Sequence, residues 1–288
     1  MIIVIRRGLG LVAAIPSPPD NAIHLGPVQL RAYGLAIALG VVTAVAIAQR
    51  RWAARGGDPG DITGIALWAV LAGLVGARAY HVVTDLDRFT GRWWHAAAIW
   101  EGGLGIPGGL AAGVVAGVLV ARRRGLPAGQ LLDVVAPAIP VAQAIGRLGN
   151  WFNQELYGRP TNLPWGLNID PDHRPAGLVD VATYHPTFLY EALWNLALAG
   201  LLIFWERHHP HQRPGRLFTL YVAGYALGRL WVEALRIDPA ARLLGVRLNI
   251  WTSLAAFTGA TAWLLITRHQ PGDASTSGAP GRSPEPKG

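Results

Sequence analysis

Seven long apolar stretches alternate with shorter polar segments along the chain. A helix that rises 1.5 Å per residue needs roughly 20 residues to cross a hydrocarbon core about 30 Å thick. The stretches lie near residues 30–49, 62–83, 103–121, 131–149, 187–205, 216–235 and 249–267. The pattern therefore predicts an all-α integral membrane protein of about seven transmembrane helices.

Segments of different composition flank and interrupt this membrane domain, which spans 30–267. Residues 1–29 predict an N-terminal outer arm, or a start site placed too far upstream, rather than a signal peptide, because their apolar runs are short and arginines fall between them. Residues 151–186 are rich in turn-forming dipeptides and predict a small extracytoplasmic cap with room for two short strands. Residues 268–288, rich in Pro, Gly and Ser, predict a disordered cytoplasmic tail.

Arginine clusters beside the helix ends indicate how the chain is oriented. Positive charge near the ends of transmembrane helices favours the cytoplasmic side. Three such clusters follow the first, third and fifth predicted helices: Arg50, Arg51 and Arg55; Arg122, Arg123 and Arg124; Arg207, Arg213 and Arg216. The N-terminus is therefore predicted outside and the C-terminus in the cytoplasm.

Composition narrows the functional classes. The chain is 51% hydrophobic and 15% charged, against about 25% charged in soluble domains. Its net charge of +8 comes almost wholly from arginine, which suits loops that face anionic lipid better than a nucleic-acid surface. Cysteine is absent, so disulfides, thiolate metal sites and a cysteine nucleophile of the protein's own are excluded. We expect neither a metal nor a cofactor.

Three arginines fall inside predicted helices, namely Arg78, Arg147 and Arg229. An arginine at the centre of a bilayer costs roughly 3 kcal/mol, so its presence points to function. On the predicted topology each lies in the outer half of an outward-running helix, and the three can share one layer. Simpler interpretations stay open: Arg78 could extend to the interface, and Arg229 could form a structural ion pair with Glu233.

Other polar residues reach the same layer and predict a polar cavity open to the outer leaflet. Helical spacing places Gln143, Arg147 and Asn150 on one face, and Tyr225, Arg229 and Glu233 on another. Guanidinium groups bind phosphate with two parallel donors, so the cavity suits a lipid phosphate. Further predicted members are Tyr33, Glu101, a helix break at Pro107, Glu155, His185 and Glu191.

Residues 146–158 read G-R-L-G-N-W-F-N-Q-E-L-Y-G. They closely resemble the signature of bacterial prolipoprotein diacylglyceryl transferases, G-R-x-G-N-[FW]-x-N-x-E-x-x-G. Other segments similar to that family follow in its order: Leu30-Arg-Ala-Tyr-Gly34, Gly76-Ala-Arg78, Glu101-Gly-Gly, His185-Pro-Thr-Phe-Leu-Tyr-Glu191 and Tyr225-Ala-Leu-Gly-Arg229-Leu-Trp-Val-Glu233. The resemblance covers about residues 16–268.

The resemblance implies a transferase that moves the sn-1,2-diacylglyceryl group of phosphatidylglycerol to the lipobox cysteine of a prolipoprotein. A thioether forms and glycerol phosphate leaves, which is the first step of lipoprotein maturation. The implied partners are phosphatidylglycerol, prolipoprotein signal peptides and the bilayer, with no nucleic acid. The implied location is the bacterial plasma membrane, crossed several times, with the active site toward the outer leaflet.

The resemblance also implies roles for individual residues. Arg147 and Arg229 are the essential arginines that bind the phosphate, and His185 or His81 is the candidate base. The supporting, substrate-binding residues are Tyr33, Arg78, Asn150, Glu155, Tyr225 and Glu233. The base is the open point, because Pro107 stands where many members carry a histidine, and His81 stands where some carry a tyrosine.

Two other classes of protein compete with the transferase. An anion channel or lipid-anion transporter would use the arginines as a selectivity site and would need a polar route to the cytoplasm. The inner halves of the predicted helices are almost wholly apolar, which argues against such a route. A seven-helix receptor or scaffold would give three intramembrane arginines no role.

Overall fold

A computed structural model describes residues 4–7, 10–25, 28–98 and 103–267. Across these ranges the fold is mostly helical, with four short two-stranded sheets: two before α1, one between α5 and α6, and one between α7 and α8. The helices are α1 (Ala32–Ala53), α2 (Pro59–Thr84), α3 (Ile106–Arg123), α4 (Ala128–Val135), α5 (Ala138–Asn153), α6 (Thr187–His208), α7 (Arg216–Leu235) and α8 (Leu248–Ile266). The strands pair in chain order as β1 (Val4–Arg7) with β2 (Gly10–Ala13), β3 (Ala22–Leu25) with β4 (Val28–Arg31), β5 (Leu167–Asn168) with β6 (Thr183–Tyr184), and β7 (Arg242–Leu243) with β8 (Val246–Arg247).

Apolar helices long enough to cross a bilayer make this a multi-pass membrane protein. Within the described part of the chain, α1, α2, α6 and α8 meet that criterion, and α4 with α5 meets it as a pair bent by 40°. The helices α3 and α7 occupy the two remaining predicted positions. α7 is less apolar because it carries Arg229 and Glu233. The predicted helical membrane fold is confirmed.

Prolines reshape two of the predicted helices. Pro107 lies in the first turn of α3, where its missing N–H costs nothing, so the break expected at this proline is the start of a helix. Pro137 divides the predicted fourth helix into α4 and α5, because it cannot donate to the carbonyl of Asp133. Arg51 compensates by donating from Nη2 to Asp133 O (3.0 Å) and from Nε to Val134 O (2.9 Å).

Asp133 joins α4 to α7. Its carboxylate accepts hydrogen bonds from the backbone N–H of Gly215 (2.8 Å) and Phe218 (3.0 Å), at the N-terminus of α7. Asp133 therefore caps a different helix from the one on which it lies.

The helices α2 and α3 approach closely through small residues. A Cβ atom on Gly76 would lie 2.6 Å from the Gly108 carbonyl oxygen and 2.4 Å from the Ala112 Cβ. A Cβ on Gly113 would lie 3.0 Å from the Ala69 carbonyl oxygen. Small residues at four-residue spacing permit this contact between backbones.

The segment between α5 and α6 packs around its own small core. The strands β5 and β6 pair antiparallel, and Leu167, Ile169 and Tyr184 are fully buried beside Phe188 of α6. The chain near Ile15 adds to this unit, since its N–H donates to Gly166 O at 2.8 Å. The two short strands expected here are present, whereas Glu101 and the predicted tail at 268–288 lie outside the described residues.

Candidate active site

A cavity of about 810 Å³ lies among α1, α3, α5, α7 and α8. Its walls are mostly apolar, as is usual for a site that holds a small molecule or a lipid. The polar and aromatic side chains converge from four of these helices, α1, α5, α7 and α8. Predicted site residues that line it are Tyr33, Arg147, Asn150, Tyr225 and Arg229.

Glu191 of α6 lies between the two arginines of the cavity. Its Oε2 is 2.6 Å from Arg147 Nη2, and its Oε1 accepts a hydrogen bond from Arg229 Nη1 at 3.3 Å. Glu191 is only 6% exposed, so the contact is shielded from solvent. Since Arg147 belongs to α5 and Arg229 to α7, this carboxylate sets the spacing of two guanidinium groups from different helices.

The charged contacts continue from Arg229 to the connection between α7 and α8. Glu233, fully buried, lies 2.7 Å from Arg229 Nη2, although the pair is not aligned for a hydrogen bond. Its other oxygen is 2.5 Å from Arg247 Nε, at the start of α8. Arg247 and Arg236 both contact the carboxylate of Asp238, at 3.0 and 2.7 Å.

The network therefore alternates four guanidinium groups with three carboxylates, and these seven groups carry a formal net charge of +1. Burial raises the pKa of Asp238, but hydrogen bonds from Arg236 and Arg247 and their charge outweigh burial and lower it. Asp238 is then ionised at neutral pH and keeps its two arginines in place.

The end of α5 positions Arg147. Its Nη1 donates to Asn150 Oδ1 at 3.1 Å, and Asn150 Nδ2 donates to Glu155 Oε1 at 2.8 Å. Gly149 gives Tyr33 room beside α5, because a Cβ there would lie 2.5 Å from the Tyr33 ring. The motif at 146–158 thus combines an arginine, the amide that orients it and a glycine that admits the tyrosine.

A family model described as prolipoprotein diacylglyceryl transferase matches residues 20–266. The chain belongs to that family. Phosphatidylglycerol–prolipoprotein diacylglyceryl transferase 2 of Streptomyces coelicolor is 52% identical over 285 residues, covering 96% of this chain and 90% of the relative. The phosphatidylglycerol–prolipoprotein diacylglyceryl transferase of Frankia alni is 54% identical over 259 residues (89% and 68%), and that of Cutibacterium acnes 50% over 262 (90% and 88%).

Membership of the diacylglyceryl transferase family makes this chain an enzyme of group transfer. The matched range contains both cavity arginines, the whole network around them and the motif at 146–158. A transferred diacylglyceryl group has long acyl chains, and the mostly apolar walls of the cavity suit them.

Arg78 and His81 lie in a different place from the cavity arginines. Arg78 is 7% exposed and donates to the carbonyls of the α2–α3 connection: Ala96 O (2.9 Å), Gly103 O (3.1 Å) and His95 O. His81 Nδ1 is 3.0 Å from Asp85 Oδ2, one turn along α2. Neither lines the cavity as described, so the structure does not bring the three predicted arginines together.

His185 lies just before α6, and its Nδ1 is 3.1 Å from Tyr190 Oη. Burial, and next the positive charge of Arg159, lower the pKa of this imidazole. It is therefore neutral at neutral pH and has a lone pair to accept a proton, although it too lies outside the cavity lining. Glu155 contacts Asn150 and Asn153 rather than an arginine.

Sequence reasoning missed the roles of several charged residues around the cavity. Glu191 was expected in the polar layer, but nothing in its spacing indicates contact with two arginines. Arg236, Asp238 and Arg247 resemble ordinary loop charges, because they lie beyond the end of α7. A weak signal was available: Arg236 and Asp238 are two residues apart, in reach of a bidentate contact, which they make at 2.7 and 2.9 Å.

Proposed function

We propose that this enzyme transfers the sn-1,2-diacylglyceryl group of phosphatidylglycerol to the lipobox cysteine of a prolipoprotein signal peptide, as the first step of lipoprotein maturation. The printed names of its relatives support the donor and the acceptor. The observation that carries the proposal is the pair of guanidinium groups, Arg147 and Arg229, lining one cavity on either side of Glu191.

In the proposed reaction the cysteine sulfur attacks the glycerol carbon that bears the phosphate ester. A sulfur–carbon bond forms, the carbon–oxygen bond breaks, and glycerol phosphate leaves with the bonding electron pair. Arg147 and Arg229 stabilise the negative charge on that leaving group, because their positions are set before the reaction starts. Their charge also favours the thiolate, which is the reactive form of a thiol whose free pKa is about 8.5.

The thiol proton needs an acceptor, and we assign it to His185 or His81. His185 is the better placed chemically, because its lowered pKa leaves it unprotonated at neutral pH. Asn150 orients Arg147, and Glu155 in turn holds Asn150. Glu233 holds Arg229. The two tyrosines of the cavity, Tyr33 and Tyr225, contact the lipid head group. Arg78 supports the site by ordering the α2–α3 connection.

We further propose that the protein crosses the bacterial plasma membrane seven times, with its N-terminus outside and its C-terminus in the cytoplasm. The arginine-rich ends of α1, α3 and α6 support this orientation. Residues 1–29 then form an outer arm and 151–186 an extracytoplasmic cap, with 268–288 a cytoplasmic tail. The cavity opens toward the outer leaflet, where exported signal peptides arrive.

The test incubates the purified full-length protein with phosphatidylglycerol vesicles and a lipobox peptide. The expected products are a peptide heavier by one diacylglyceryl group and free glycerol phosphate. Arg147→Lys and Arg229→Lys keep the charge but lose the paired donors, and each should lower kcat by about 10²–10³-fold. The matched control is Arg207→Lys, which changes an exposed arginine in the last turn of α6. This variant should leave kcat unchanged.

Normal turnover in both lysine variants would contradict the assignment. An anion conductance in vesicles without any modified peptide would instead favour a channel. His185→Gln and His81→Gln identify the base, since loss of general-base catalysis lowers kcat by about 10²–10⁴-fold in the correct variant alone.

A further inference from the structure

A second cavity, of about 490 Å³, lies among α1, α2, α3, α4 and α5. It is at the opposite end of the helices from the arginine pair. On α1 it is lined by Ala44 and Ala48, whereas Tyr33 lines the first cavity. On α5 it is lined by Ala138, nine residues before Arg147.

The walls of this second cavity are almost wholly hydrocarbon. Among the described residues that line it, Arg122 is the one charged side chain, and the others are aliphatic or small. A water molecule needs two to four polar partners to occupy a cavity, and these walls do not provide them. The volume falls within the range of about 300–1,000 Å³ that holds small ligands. The walls therefore suit an apolar chain.

The cavity communicates with the outer surface of the helices. Three large apolar residues of its lining remain substantially exposed: Val114 (56%), Val118 (44%) and Leu132 (40%). In a membrane such a surface faces acyl chains, so a lipid can enter from the side without passing through water.

Arg122 supplies an anion-binding group at the rim. It is exposed in the last turn of α3 beside Arg123. In the ranges covered by the structure neither of these two forms an ion pair, whereas the next residue, Arg124, is 3.0 Å from Asp61. A guanidinium group at the mouth of an apolar cavity matches a phosphate joined to an acyl chain.

We propose that this cavity binds one acyl chain of an anionic phospholipid, whose phosphate is held by Arg122. The site is separate from the arginine pair and takes no part in the transfer reaction. Its occupant packs between the α2–α3 pair and the α1–α5 pair, at the end of these helices where α4 lies.

The test uses the full-length protein in vesicles that contain phosphatidylserine with a photoreactive group in its acyl chain. Phosphatidylserine is anionic but is not the proposed donor. Labelling by this probe therefore reports binding at the second cavity and not binding of the donor for the transfer reaction. Peptide mapping should place labels on Val45, Ile65 and Val118, which border the cavity. Arg122→Gln should lower this labelling about tenfold, while Arg123→Gln, one residue away, leaves it unchanged.

Gly117→Leu fills the cavity from α3 and should also abolish labelling. A Cβ there meets Ile65 Cγ2 at 3.5 Å, an ordinary van der Waals contact, and thermal unfolding in detergent checks that the variant is folded. Equal labelling by a phosphatidylcholine probe, or unchanged labelling in Arg122→Gln, would overturn the anionic-lipid site. Crosslinks from these residues to a second copy of the chain would overturn it in favour of a dimer interface. The Arg122→Gln variant should transfer the diacylglyceryl group at the same rate as the parent, because Arg122 takes no part in the reaction. Failure of the lipid site and failure of the proposed function therefore give different results.

Discussion

Glu191 illustrates how one residue defines the geometry of the candidate active site. It receives Arg147 from α5 and Arg229 from α7, and it is itself held on α6. Two guanidinium groups repel each other, and a shared carboxylate in a buried position removes that repulsion. The arginines can then face the cavity together and bind one phosphate.

We expect Glu191→Gln to lower kcat/KM about 100-fold while the protein stays folded, because the arginines lose their common partner and shift. The measurement is transfer kinetics alongside thermal unfolding in detergent. Glu206→Gln is the matched control, since Glu206 also bridges two arginines, Arg51 and Arg55, at the other end of the same helix. A Glu191→Gln enzyme within about twofold of the parent would show that the spacing is set elsewhere.

His185 gives a prediction about pH. Its folded-state pKa is below the ordinary value, so the unfolded chain binds more protons as the pH falls through about 6.5. The folded state therefore loses stability from about pH 6.5 downward, and this loss ends at the folded-state pKa. His185→Gln should have a flatter profile of unfolding temperature between about pH 7 and 5. The exposed His209→Gln variant is the control and should follow the parent.

At the scale of elements, side chains from one helix complete the ends of another. Pro137 ends α4, Arg51 of α1 satisfies the carbonyls left free, and Asp133 caps α7. Each contact joins elements far apart in the chain. The bent pair α4–α5 is thereby fixed, and α5 carries Arg147 into the cavity at its far end.

The α2–α3 contact provides the test at this scale. Gly76→Ala places a Cβ within 2.6 Å of a backbone oxygen, so the helices must separate, and we expect a loss of about 1–3 kcal/mol of stability. Gly200→Ala on α6 meets nothing within 4 Å and should be neutral or raise stability by up to about 1 kcal/mol. Denaturation in detergent micelles measures both. Equal effects of the two changes would mean that helix propensity, not packing, decides the result.

At the scale of the whole molecule, the two ends of the helices differ in chemistry. One end holds the cavity with the alternating network of arginines and carboxylates, and the other holds an apolar cavity rimmed by arginine. This asymmetry suits a protein that handles a lipid head group on one side of a membrane. The orientation of the chain then decides which leaflet supplies the donor lipid.

Because the chain has no cysteine, single cysteines report its orientation without background. We expect Asp172→Cys, exposed between α5 and α6, to react with a membrane-impermeant maleimide in intact cells. His211→Cys, exposed between α6 and α7, should react only in inside-out vesicles. The unsubstituted protein is the control and should not react. The reverse pattern would place the active site toward the cytoplasm.

The sequence by itself was enough to predict the membrane class, the approximate positions of the helices and the grouping of Arg147, Asn150 and Glu155 in one motif. These features are local: apolar length predicts a span, and the motif at 146–158 places an arginine, an asparagine and a glutamate within nine residues. Helical spacing also predicted that Arg147 and Asn150 share a face, and both line the cavity.

Only the tertiary structure decided which charges meet. Like Arg147 and Arg229, Arg78 lies in the outer half of its predicted helix. It nevertheless donates to carbonyls of the α2–α3 connection, because α2 packs on α3. Arg247 and Asp238 resemble surface charges but close the network behind Glu233, because the chain turns back after α7. Charge contacts between distant elements depend on how helices pack, and no periodicity along one chain encodes that.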